Sequence, residues 1–131
     1  MKLHHIAIAV NSLAAAQPIF EKLLGRGPAS VETVEDQKVR VAMFRLGESR
    51  LELLEATSDD SPLARSISKR GQGLHHVAME VEDLAGTLRE LEGAGVRLID
   101  RKPRRGAENS QVAFLHPSST SGVLVELVEE Q

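Results

Sequence analysis

The segment HHIAIAV at residues 4–10 returns as HHVAMEV at residues 75–81, 71 residues further along the chain. Each copy carries the alternating apolar pattern of a half-buried strand. Each copy also leads into an amphipathic stretch, which predicts helices over residues 13–24 and 84–94. Because self-similarity at a fixed period is the signature of a repeated structural unit, the pattern predicts a duplicated strand–helix unit.

The ends of the two halves match as well. LELLE at residues 51–55 resembles VELVE at residues 125–129. Between helix and final strand each half has room for two more strands, and the apolar patterns place them at residues 29–34, 39–46, 96–100 and 110–116. Each half is therefore predicted to be a βαβββ module.

The predicted fold class is α+β, with two tandem βαβββ modules forming a curved mixed sheet around a central metal cavity. The 131 residues suit one domain, since domains typically run to roughly 100–150 residues. Within it the first module covers residues 1–57 and the second covers residues 74–131. The polar, glycine-containing linker at residues 58–73 holds a short helical pattern at residues 62–70.

Composition excludes several classes of protein. Sixteen basic and nineteen acidic residues give a formal net charge of −3 without a clustered basic face, so nucleic acid is not an expected partner. No apolar run approaches the roughly 18 residues of a membrane span, and the apolar start is too short and too rich in histidine for a signal peptide. With no cysteine, disulfides and thiolate ligands are excluded, and we expect a cytoplasmic protein.

Strand alternation should place four side chains at the centre of the fold. His5 and His76 lie on the strand face that also carries small alanines, opposite the apolar face that packs on the helices. Glu52 and Glu126 alternate in the same way with leucine and valine in the last strand of each module. The symmetry of the repeat then brings one histidine and one glutamate from each half together, whereas alternation turns His4 away.

Two imidazoles and two carboxylates suit one divalent metal ion. Co²⁺, Mn²⁺, Ni²⁺, Zn²⁺ and Fe²⁺ all accept this donor set, and the sequence leaves the choice open. A single histidine on a strand is more often a hydrogen-bonded polar residue, and a single glutamate is more often on the solvent side. The recurrence of both residue types at corresponding positions favours the metal site. Two inward carboxylates would also be costly to bury without a cation.

Nearly the whole chain resembles the vicinal oxygen chelate (glyoxalase-like) superfamily and, within it, the methylmalonyl-CoA epimerase family. The resemblance rests on HHIAIAV, QKVRVAMF and LELLEA, on the segment at residues 60–84 that contains GLHHVA, and on VAFLHP and GVLVELVEE. GLHHVA and the FLHP…GVLVEL pair are fairly specific for the epimerases.

Carried over by residue, the resemblance places His5, His76 and Glu126 at metal-ligand positions. Glu52 falls at a fourth ligand position, which is Gln in some relatives. The chain departs from some relatives at Val41, where they carry a catalytic glutamate. It also departs in the loop at residues 106–109, where they carry His-Gly, and at Ser118, where they carry lysine.

The implied activity is the epimerisation of (2R)- and (2S)-methylmalonyl-CoA in propionate metabolism, by α-proton abstraction through a metal-stabilised enediolate. Glu126 is the expected base, and the second base is either Glu52 or a metal-bound water. An acyl-CoA substrate and a homodimer belong to the same resemblance. The basic cluster at residues 101–105 either attracts CoA phosphates or is a solvated loop, and His116 is either structural or a substrate neighbour.

Three other functions compete with the epimerase. A glyoxalase-type lyase or isomerase of the same fold would use similar metal chemistry on another substrate. A ring-cleaving dioxygenase is disfavoured by the short chain and by an aromatic content of only 2%. A metal-free, drug-sequestering binding protein of the bleomycin-resistance type would want aromatic walls, and the four predicted ligands argue against it.

Overall fold

A computed structural model describes all 131 residues of the chain. It contains eight strands and three α-helices, and these elements follow one another as β1 (Lys2–Ala9), α1 (Leu13–Leu24), β2 (Ser30–Val34), β3 (Val39–Leu46), β4 (Ser49–Ala56), α2 (Pro62–Arg70), β5 (Gly73–Glu80), α3 (Leu84–Gly93), β6 (Arg104–Arg105), β7 (Gln111–Leu115) and β8 (Val125–Glu129). No helix is both long and apolar enough to cross a membrane.

The strands belong to one sheet, in the order β2-β3-β4-β1-β5-β8-β7-β6. Strands β5 and β8 run parallel, whereas β2 with β3, β3 with β4, β6 with β7 and β7 with β8 run antiparallel. The sheet is therefore mixed, and the predicted α+β fold class is confirmed. Strand β8 lies between β5 and β7, which places the last strand of the chain beside the second HH strand.

Contacts within the chain define two compact units. One unit is Ile6–His75, and the other combines Met1–His5 with His76–Gln131. The first five residues thus belong with the C-terminal half, although they precede the N-terminal half in sequence. The modules at residues 1–57 and 74–131, with a linker at 58–73, remain a prediction from the repeat.

The unit Ile6–His75 is organised around helix α1. Its N-terminus is capped by Ser12, whose Oγ accepts a hydrogen bond from the Ala15 amide at 3.2 Å, and it ends at Gly25 in the left-handed region (φ 72°). One face of the helix packs on the sheet. The buried core consists of Val10, Leu13, Ala42, Phe44 and Leu53.

Helix α3 organises the other unit in the same manner. Asp83 caps it by accepting a hydrogen bond from the Gly86 amide at 3.1 Å. Its two fully buried leucines, Leu84 and Leu88, pack against strands β7 and β8. The buried core consists of Val81, Leu84, Leu88, Ala113, Leu115 and Leu127. The sequence therefore predicted correctly the helix that covers each half.

The strand predicted at residues 96–100 is wrong. Only Leu98 forms a bridge there, with Leu115. At the end of this segment the Asp100 carboxylate accepts a hydrogen bond from the Phe114 amide at 2.9 Å, so a side chain takes the place of a backbone carbonyl. Pairing resumes at β6 (Arg104–Arg105), which the sequence analysis missed.

Candidate metal centre

His5, His76 and Glu126 meet at one point of the unit that combines residues 1–5 and 76–131. The Nε2 atoms of the two histidines lie 3.1 Å apart. Glu126 Oε1 lies 3.0 Å from each of them. All three residues are buried, with 4–5% of their surface exposed. The structure thus brings together three of the four predicted ligands.

The sheet register explains why these side chains converge. In the parallel pair of β5 and β8, Glu126 is the partner of Ala78, and Ala78 is two residues beyond His76 on the same strand face. Ala78 is fully buried and has only a methyl group, so it leaves room for the imidazole and the carboxylate. On the other side of Glu126 its register partner is Phe114, whose ring meets His76 edge-on at 5.2 Å.

The spacing of the three atoms fits a bound cation. Metal–ligand bonds of about 2.1 Å place two ligand atoms about 3.0 Å apart when the bonds meet at right angles, and about 3.4 Å apart at the tetrahedral angle. The observed separations of 3.0, 3.0 and 3.1 Å match the first case. Two imidazole nitrogens and one carboxylate suit Mn²⁺, Fe²⁺, Co²⁺, Ni²⁺ and Zn²⁺.

The electrostatics of the site keep Glu126 ionised. Burial by itself raises the pKa of this carboxyl, but the charge of His76 and the close approach of the His5 and His76 imidazoles outweigh burial. The pKa therefore lies well below the usual range for glutamate. A metal cation in the same place would favour the carboxylate in the same way, so Glu126 is anionic at neutral pH with or without it.

Glu52 lies on β4, in the unit Ile6–His75. Its side chain is buried (6% exposed), and its register partner on β3 is Met43. Its role as a fourth ligand stays a prediction. On the same strand β3 the buried residue Val41 stands opposite Leu54, and its aliphatic side chain has no group that could move a proton.

His4 is the functional candidate that the sequence analysis missed. Strand alternation predicted that the His4 side chain points away from the metal centre, and His4 is not one of the three residues whose donor atoms converge there. Its Nδ1 nevertheless lies 2.7 Å from the Nδ1 of His5, and its Nε2 lies 3.1 Å from Glu130 Oε1. The doubled histidine was the available signal, but a strand pattern does not show that neighbouring rings can bend toward each other.

His116 and the basic cluster at residues 101–105, for which the sequence left two roles open, both contact neighbouring residues. The Nδ1 of His116 accepts a hydrogen bond from the Ser118 amide at 3.0 Å, which caps the turn after β7 and indicates a structural role. In the basic cluster, Arg101 pairs with Glu92 at 3.3 Å. Arg104 pairs with Asp100 at 3.5 Å, and its guanidinium lies 5.9 Å from the centre of a phenylalanine ring.

Fold and site together define the class of protein: the chain belongs to the Glyoxalase/Bleomycin resistance protein/Dioxygenase superfamily, whose family model matches residues 4–114. It is 47% identical over 128 residues to the uncharacterized protein YqjC of Bacillus subtilis (strain 168), covering 98% of this chain and 91% of that protein. It is 36% identical over 128 residues to the ethylmalonyl-CoA/methylmalonyl-CoA epimerase of Cereibacter sphaeroides, covering 96% of each chain.

A solved structure shows the same relation. The chain superimposes on a variant of Streptomyces coelicolor methylmalonyl-CoA epimerase in complex with 2-nitronate-propionyl-CoA, with a TM-score of 0.95 and 35% identity, covering 99% of this chain and 94% of that one. The resemblance to the epimerases is thus confirmed, as is the predicted enzyme class, the isomerases.

Proposed function

We propose that this chain catalyses the epimerisation of methylmalonyl-CoA at the carbon between its carboxylate and its thioester, and that the reaction requires a divalent metal. The observation that carries the proposal is the convergence of His5, His76 and Glu126 within 3.1 Å of one another. The names of the relatives support the substrate, and the donor atoms support the metal.

The metal would be held by His5, His76 and Glu126, with Glu52 proposed as the fourth ligand. When bound, the cation would supply Lewis acidity toward the oxygens of the substrate. With the metal bound, the imidazoles would be neutral nitrogen ligands, and Glu126 would balance part of the cation charge. Burial of all three side chains keeps bulk water away from their donor atoms.

Glu126 is the proposed general base. The pair of electrons on its carboxylate takes the α-proton, and the electrons of the broken C–H bond move into the thioester. A carboxylate whose pKa is held low is a weak base. A bound metal would make the α-proton more acidic and therefore easier for this carboxylate to remove. A proton returns to the opposite face from Glu52 in its protonated form (Glu52 being the counterpart of Glu126 in the repeat) or from water. The donor regains a proton from solvent, and the proton taken by Glu126 is released to solvent.

The test is a stereochemical assay of protein loaded separately with Co²⁺, Mn²⁺, Ni²⁺ or Zn²⁺. We expect (2R)-methylmalonyl-CoA to become a mixture of the 2R and 2S forms, and we expect a chelator to abolish the conversion. Conversion of the methylglyoxal–thiol hemithioacetal instead would point to the glyoxalase-type alternative. Failure to bind any metal would favour a binding protein and would contradict the proposal.

The proposal includes a homodimer and a role in propionate metabolism, which the resemblance implies, and a cytoplasmic location, as the sequence led us to expect. The dimer can be tested directly, because light scattering of the purified chain gives its mass in solution. The expected mass is twice the 14.2 kDa of one chain. A mass of one chain at micromolar concentration would contradict the dimer without affecting the metal site.

A further inference from the structure

A line of hydrogen bonds leads from the candidate metal centre to the protein surface. His5 faces the centre with its Nε2, and its other ring nitrogen, Nδ1, lies 2.7 Å from the Nδ1 of His4. The Nε2 of His4 lies 3.1 Å from Glu130 Oε1. The His4 side chain is 8% exposed and that of Glu130 is 40% exposed, so the line begins in the interior and ends at a partly solvated carboxylate.

Only one placement of protons satisfies this line while His5 acts as a ligand. A metal ligand offers the lone pair of Nε2, so the neutral His5 ring carries its proton on Nδ1. That N–H donates to the lone pair of His4 Nδ1. The His4 proton is then on Nε2, where it donates to Glu130 Oε1. Every N–H in the line has an acceptor, and the last acceptor is a carboxylate.

We propose that His4 and Glu130 are positioning residues that hold His5 in the tautomer required for binding a divalent cation. The inference rests on the proposed metal site and names the residues that position one of its ligands. Without His4, the proton of a neutral His5 would be better placed on Nε2, because Glu126 Oε1 lies 3.0 Å away and would accept it. The proton would then occupy the lone pair that the metal needs.

Metal-binding histidines commonly donate their second N–H to a carboxylate or carbonyl, and loss of this partner typically costs about 10–100-fold in metal affinity. Here the carboxylate acts through a second imidazole. This arrangement lets a partly exposed glutamate support a fully buried ligand.

A second group of possible ligands, His4, Glu80 and Glu130, lies along the same line. It does not compete well for a metal, because the Lys2 ammonium already lies 3.9 Å from Glu80 Oε1 and supplies a positive charge there. The positioning role therefore predicts one metal ion per chain, not two.

The experiment measures Co²⁺ affinity by competition with a chelator for the wild-type chain and three variants. His4→Phe keeps an aromatic ring but removes both nitrogens, and we expect about 10–100-fold weaker binding. His4→Asp places an oxygen acceptor where Nδ1 was, and we expect it to restore most of the affinity. Glu130→Gln removes the final charge, and we expect a smaller loss than for His4→Phe.

Glu82→Gln is the matched control, because it makes the same charge change at an exposed position of the same unit and should leave Co²⁺ affinity unchanged. A second readout needs no metal: ¹⁵N NMR of the His5 ring at neutral pH. We expect the fraction of His5 rings with a proton on Nδ1 to be lower in His4→Phe than in the wild type and in His4→Asp. Circular dichroism checks that each variant is folded, and Glu130→Gln and His4→Asp test the inference if His4→Phe does not fold.

The outcomes separate this inference from the proposed function. If the wild type binds one Co²⁺ and His4→Phe binds it equally well, the positioning role is overturned and the metal centre stands. Two Co²⁺ ions per chain would also overturn it, because His4 and Glu130 would then be ligands themselves. If affinities shift as expected but no epimerisation occurs, the inference stands and the proposed reaction fails.

Discussion

Replacing Glu126 by glutamine should weaken metal binding far more than the same replacement at Glu52. Glu126 is the only anion in the three-residue group, and its Oε1 lies 3.0 Å from both imidazole nitrogens. Loss of a partner that merely supports a ligand costs about 10–100-fold in metal affinity. Loss of a charged ligand should exceed the upper end of that range. We therefore expect Glu126→Gln to bind Co²⁺ more than about 100-fold more weakly, which corresponds to about 2.7 kcal/mol or more.

Glu52→Gln is the matched comparison, because it removes the same charge from another buried strand glutamate. The resemblance allows an amide at this position, so we expect a loss of less than about tenfold. Affinities would come from competition with a chelator at constant pH, with circular dichroism as the check of folding. Wild-type affinity in Glu126→Gln would refute the assignment of the metal centre. An equal loss in both variants would refute the distinction between the two carboxylates.

Two further predictions concern stability and pH. Gly106→Ala should lower the free energy of unfolding by about 1–3 kcal/mol, because a Cβ there would lie 2.6 Å from a methyl group of the buried Val112. Gly93→Ala, at the open end of a helix, should leave the free energy of unfolding unchanged or raise it. Equal denaturation midpoints for the two variants would contradict this difference. The hydrogen bond from Lys38 lowers the pKa of Asp60 from 3.8 to about 2. The stabilisation by the ionised Asp60 is therefore complete at pH values above its pKa in the unfolded chain, and it is lost as the pH falls toward 2. An NMR titration of Asp60 should show that midpoint, and Lys38→Met should move it toward 3.8, whereas an unchanged midpoint would contradict the cause.

The elements that the sequence predicted well are those whose local signals agree. Helix α1 covers residues 13–24, the bounds that the apolar period predicted, and Ser12 and Gly25 cap its two ends. The linker helix at residues 62–70 and strand β3 at residues 39–46 have the predicted bounds. In these segments periodicity, caps and turn residues all favour one structure, so tertiary contacts had no local preference to override.

The prediction of a strand at residues 96–100 is wrong because the alternating apolar residues there are partly buried without forming a regular strand. Val96 and Leu98 alternate as in a strand, yet they pack at the edge of the α3 core. The backbone amides of Ile99 and Asp100 both donate to the carbonyl of Phe114, so the segment turns instead of continuing a ladder. Pairing between a side chain and a distant backbone amide leaves no periodic trace in the sequence.

Only part of the candidate metal centre could be predicted, because some of its contacts also leave no periodic pattern in the sequence. Strand alternation and the repeat were enough to select His5, His76 and Glu126, because each lies in a regular strand with a defined inward face. The link from His5 to His4 and Glu130 depends on ring orientation and on a carboxylate 126 residues away from His4. Neither can be derived from the period of a strand.

The most direct test of the central claim follows the α-proton itself. Metal-loaded protein is incubated with (2R)-methylmalonyl-CoA in D₂O, and deuterium at the α-carbon is measured by NMR together with formation of the 2S epimer. We predict that exchange and epimerisation occur together and that both are abolished by chelator and by Glu126→Gln. Full activity in Glu126→Gln would contradict its role as base, and a metal-bound protein with neither exchange nor epimerisation would contradict the proposed reaction.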